Sequence, residues 1–104
     1  IGSLVEALRT QQALGDAVGL SRTTDALARV LGSAGRHAEA MGLLRDSVSL
    51  NVRLGSPHGL AHNRRTLATL SHVFGPRAHL LQPLAGQLAE AEQHLGRIEL
   101  PPNA

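Results

Sequence analysis

Apolar residues recur along this 104-residue chain at intervals of three and four, the period of a helix with one buried face. Leu20, Leu27, Val30, Leu31 and Ala34 share one such face, and Leu60, Leu67, Leu70 and Phe74 share another. Ala40, Met41, Leu44 and Val48 make a third stripe, followed by Leu81, Leu84, Leu88, Ala91 and Leu95. The residues between the stripes mark helix ends. Asp16 is a good N-cap, and Ser56-Pro57 offers an N-cap followed by proline in the first helical position. Gly35 and Gly75 stand just past two stripes, where a left-handed residue closes a helix. The pattern predicts helices near 3–14, 17–34, 36–54, 57–74 and 77–97. Connections of about two residues make consecutive helices antiparallel neighbours. Leu100-Pro101-Pro102-Asn103-Ala104 reads as an irregular tail.

The pattern repeats. Leu14-Gly15-Asp16-Ala17-Val18-Gly19-Leu20 returns forty residues later as Leu54-Gly55-Ser56-Pro57-His58-Gly59-Leu60. The register continues through Leu27-Ala28 and Leu67-Ala68, Gly35 and Gly75, Ala38 and Ala78, and Leu44 and Leu84. These identities fall on glycines and apolar positions, where geometry restricts the choice most. Under the same offset Ile1, Leu4 and Leu8 fall on Met41, Leu44 and Val48. Residues 1–14 therefore read as the second helix of a truncated unit, 15–54 as a full unit, 55–98 as a degenerate terminal unit, and 99–104 as the tail. Pro83 inside the last predicted helix calls for a kink or a late helix start, and Leu80 in the slot of Ala40 calls for altered packing. The absence of Met at position 1 suggests a piece of a longer chain.

Gly35-Arg36-His37-Ala38-Glu39-Ala40-Met41-Gly42-Leu43-Leu44 resembles the tetratricopeptide signature, in which a glycine turn precedes a helix carrying a small and then a large apolar residue. Leu27-Ala28 and Leu31 match the preceding helix of that signature, with Leu31 in the usual aromatic place, and Ser47 matches its later small residue. The forty-residue spacing resembles the long-helix variant common in large bacterial, especially actinobacterial, regulators. The resemblance implies an all-α fold: antiparallel helical hairpins stacked as a right-handed solenoid of about five helices. It implies a protein–protein interaction module, the C-terminal part of an array whose inner groove holds a peptide or partner protein, as in the sensor arm of a bacterial regulator. By spacing and family geometry, Arg22, Asp25, Arg29, His62, Arg65, Thr69 and His72 line that groove.

Composition supports this picture and narrows its chemistry. Leu and Ala dominate, there is one Phe, and Trp and Tyr are absent, a balance that favours helix over strand. No run approaches the ~20 apolar residues of a membrane span, and no basic-then-apolar leader is visible. With no Cys there is neither a disulfide framework nor a thiolate site, and a cytoplasmic setting is the default. Every basic residue is Arg, and the formal net charge is +2. No acid falls between Asp46 and Glu90, while Arg53, Arg64, Arg65, Arg77 and four His do, so the middle is locally basic. Arginine captures carboxylates bidentately, which points to an acidic segment or a chain terminus as partner.

Other chemistries draw less from the residues. Asp25 and Arg29 also fit an ordinary surface pair at helical spacing, with Asp25 a solvated charge. His58 and His62 lie four apart, yet no carboxylate joins them in sequence, so no metal and no cofactor is expected. No nucleophile elbow or phosphate-binding glycine loop appears, so no catalytic residues are assigned and the chain does not read as an enzyme. Four Arg without aromatic stacking residues make a nucleic-acid partner the weakest of the binding readings. The alternative to a groove ligand is homodimerisation through the first helix, where Ile1, Leu4, Val5 and Leu8 lack an upstream neighbour.

Overall fold

The computed structural model describes residues 2–102, and among them the chain is helical with no strand. The elements are α1 (Gly2–Leu14), α2 (Ala17–Ser33), α3 (His37–Leu54), α4 (Pro57–Phe74), a 3-10 segment (Gly75–Leu81) and α5 (Gln82–Leu95). Ile1 and the tail residues Asn103 and Ala104 lie outside the described residues.

The predicted caps explain where two helices begin. The Asp16 carboxylate accepts from the Gly19 amide at 2.9 Å, and the Ser56 hydroxyl accepts from the Gly59 amide at 3.0 Å. Each satisfies an amide that the first turn leaves without a helical carbonyl. At the far end of α3, Gly55 adopts φ 62°, ψ 41°, and its amide reaches back to the Asn51 and Val52 carbonyls. A side chain at that left-handed position would be strained.

The last unit departs from the forty-residue register at Gly75. Gly75 has a positive φ of 56°, but its ψ of −120° differs from the left-handed closure of Gly55. Pro76 follows, and a proline disfavours helical ψ in the residue before it. The chain runs on as a 3-10 segment, and α5 starts only at Gln82, with Pro83 in its first turn, where a missing amide costs nothing. The predicted helix 77–97 is thus a late-starting helix preceded by a 3-10 segment. Burial shifts by one residue as a result: Ala40 is buried in α3, but its counterpart Leu80 is exposed and Leu81 points inward.

One core joins the elements. Leu27, Ala28 and Leu31 of α2 meet Ala40, Leu44 and Val48 of α3, Leu60, Leu67, Leu70 and Phe74 of α4, and Leu81, Leu84, Leu88 and Ala91 beyond. Two predicted core positions of α2, Val30 and Ala34, are instead exposed. The α2 stripe is narrower than expected because its burial turns toward Ser21, which bonds Ser47 of α3, and Asp25, which bonds Asn63 and Thr66 of α4. α2 approaches α4 closely at Gly32, where an added Cβ would lie 2.3 Å from Leu70 Cδ2. α1 packs on α2 and buries none of its residues.

Candidate functional site

Polar side chains, not leucines, fill the junction of α2, α3 and α4. The Ser47 hydroxyl donates to the Ser21 carbonyl at 2.7 Å, 26 residues away in sequence. Asn63 Nδ2 donates to Ser47 Oγ at 2.9 Å and to Asp25 Oδ1 at 2.9 Å. Asn51 Nδ2 donates to Asn63 Oδ1 at 2.8 Å, and the Thr66 hydroxyl donates to Asp25 Oδ2 at 2.8 Å. The junction is built to close tolerance: a Cβ on Gly59 would lie 2.2 Å from Asn51 Oδ1.

Asp25 is therefore no solvated surface charge. It is 5% exposed, and both carboxylate oxygens accept from α4. Burial raises its pKa above the usual value, while the bonds from Asn63 and Thr66 and the charge of Arg29 act in the opposite direction. The predicted pairing with Arg29 is present but long, at 3.9 Å.

Above this network lies a cleft of about 270 Å³ bordered by Arg22, Asp25, Arg29, Asn51 and His62. The Arg29 side chain is half exposed, Arg22 is exposed, and His62 is partly covered. His62 packs edge-on to His58, with their Nε2 atoms 3.3 Å apart. Burial first, then His58 and the charges of Arg22 and Arg65, lower the His62 pKa, and Asp25 partly offsets them. The carboxylate already has its donors, so the cationic rim is the part with capacity for an anion. Among the described residues no group of three or more His, Asp or Glu could hold a metal ion.

The seven predicted groove residues do not form one site. Arg22, Asp25, Arg29 and His62 share the cleft. Arg65 instead donates through Nη2 to the Pro101 carbonyl at 2.6 Å. Thr69 is exposed and donates to the Arg65 carbonyl at 3.2 Å, within its own helix. His72 is exposed near the end of α4 and borders no part of the cleft. Sequence reasoning missed Ser47, Asn51, Asn63 and Thr66 as parts of one network. A signal existed for Asn63, which stands three residues after Leu60 and four before Leu67, inside the apolar stripe.

No family model matches the chain, and neither does any curated protein or solved structure. Among the described residues no helix is long and apolar enough to cross a membrane.

Proposed function

We propose that the chain is a tetratricopeptide-like interaction module that binds a carboxylate-bearing segment of another polypeptide in the α2–α4 cleft. The observation that carries this reading is the placement of Arg22, Arg29 and His62 around one polar recess whose own acid, Asp25, is already satisfied by Asn63 and Thr66. A rim of two guanidiniums recognises carboxylates by paired hydrogen bonds, and a rigid floor lowers the ordering cost of binding. The forty-residue repeat and its tetratricopeptide resemblance support a hairpin array as the scaffold. Neither feature calls for catalysis.

The test is a fluorescence-anisotropy titration with an array of acidic peptides, each made with a free and an amidated terminus. Wild-type protein should retain a subset of them, and Arg22→Ala/Arg29→Ala should weaken those by about tenfold or more without a change in melting temperature. Equal binding by the wild-type and doubly substituted proteins would remove the cleft reading.

A second reading, self-association through α1, has its own observation. Leu4, Val5 and Leu8 are only partly covered, and Leu14 is 77% exposed. Light scattering across a concentration series separates the two. A mass that stays at one chain throughout excludes the dimer.

A further inference from the structure

The residues after α5 turn back onto α4. Gly96, with φ 96° and ψ 151°, closes α5 in a conformation that other residues rarely adopt. The irregular segment that follows is held by two neighbouring arginines of α4. Arg64 Nη2 donates to the Ile98 carbonyl at 2.6 Å and lies 3.6 Å from the Glu99 carboxylate. Arg65 Nη2 donates to the Pro101 carbonyl, three residues further on, also at 2.6 Å. Glu99 and Leu100 of the segment, with Ala61, Arg64, Arg65 and Ala68 of α4, line an open recess of about 230 Å³.

This surface has the parts of a peptide-docking site. Its central donor is braced from behind, because Arg64 Nη1 is bonded to Glu92, a buried acid of α5, so that Nη2 faces outward. Donors to main-chain carbonyls give affinity with little demand on sequence, while Arg64 beside Glu99 and the recess beside Leu100 add selectivity for an acid followed by an apolar residue. Pro101-Pro102 stiffens the docked segment and reduces the entropy lost on binding. The hold lies at the surface: the Glu99 side chain is 75% exposed, and Ile98, 37% exposed, and the partly covered Leu100 supply the apolar contact that a competing segment must replace.

We propose that the Arg64/Arg65 face of α4 is a second peptide-docking surface, with Gly96–Pro102 as its displaceable resident and acid-containing, proline-containing segments of other chains as its ligands. The surface is separate from the α2–α4 cleft, and the segment acts as an intramolecular competitor for it.

The experiment uses the full chain and a fluorescein-labelled peptide with the sequence of residues 97–102. Two further proteins are compared with wild type: Ile98→Gly/Glu99→Ser/Leu100→Gly, which removes the side chains that seat the segment, and that variant with Arg65→Ala added. Backbone nitrogen relaxation should find residues 98–100 ordered in wild type and mobile in the triple variant. The peptide should bind the triple variant about tenfold or more tightly than wild type, and adding Arg65→Ala should abolish the gain. The proposal is overturned if the segment is already mobile in wild type, or if the triple variant binds the peptide no better. Arg22 and Arg29 are intact in all three proteins, so a failure here leaves the cleft reading standing.

Discussion

A carboxylate enclosed by helices illustrates how context decides the role of a residue. Asp25 lies four residues before Arg29, which by itself describes a solvated helix pair. The donors that enclose it, Asn63 and Thr66, come from 38 and 41 residues away. Asp25→Asn should keep the bond from Asn63 and let its new amide donate to Thr66, leaving stability within about 1 kcal/mol of wild type near pH 7. Asp25→Ala strands both donors and should lower stability by about 1–3 kcal/mol in urea titration. The pH dependence has a definite sign. With its folded pKa raised, Asp25 contributes stability that is fully present below the ordinary carboxyl value and lost as pH rises through the folded one. Relative to Asp25→Asn, wild type should therefore weaken as pH rises above the ordinary carboxyl range. His62 acts in the other direction for a ligand. Its pKa is lowered, and a bound carboxylate would favour the imidazolium, so affinity for an acidic peptide should rise below about pH 6.5. His62→Gln should flatten that profile, with Arg22, Arg65, His58 and Asp25 left in place around it.

Helices α2, α3 and α4 show how far local signals reach. The Asp16 and Ser56 caps and the left-handed Gly35, at φ 83°, act within a few residues, so they were legible from spacing. The final helix was legible only in part. Pro83 announced a disturbance, but the late start also depends on Pro76 acting on Gly75. Gly32 carries no local signal at all: it looks like a weak helix residue until Leu70 of α4 is brought against it. Gly32→Ala would gain intrinsic helix propensity yet force Leu70 to move, and a net loss of about 1–3 kcal/mol is expected in chemical denaturation. An unchanged or higher midpoint would show that α2 and α4 do not approach so closely.

Across the whole molecule, Arg64 links α4, α5 and the segment behind them. Arg64→Ala would leave Glu92 buried without its partner, and Glu92→Gln would be milder because the amide can still bond. Arg64 keeps some solvent access, so we expect a loss of about 1–3 kcal/mol for Arg64→Ala, read by thermal melting alongside Glu92→Gln. Equal effects of the two substitutions would contradict a structural ion pair. The sequence by itself determined the all-helical class, the turns before α2, α3 and α4, the core stripes through Leu27, Leu44, Leu67 and Leu88, and the basic character of the middle of the chain, because each follows from periodicity or from neighbours a few residues apart. Only the tertiary structure decided which polar residues became interior. It sorted the seven groove candidates, placing Arg22, Asp25, Arg29 and His62 on one cleft, Arg65 on the segment after α5, and Thr69 and His72 elsewhere. A hydrogen bond or ion pair between residues dozens of positions apart leaves no period in the sequence, and its partners become visible only when the helices are packed.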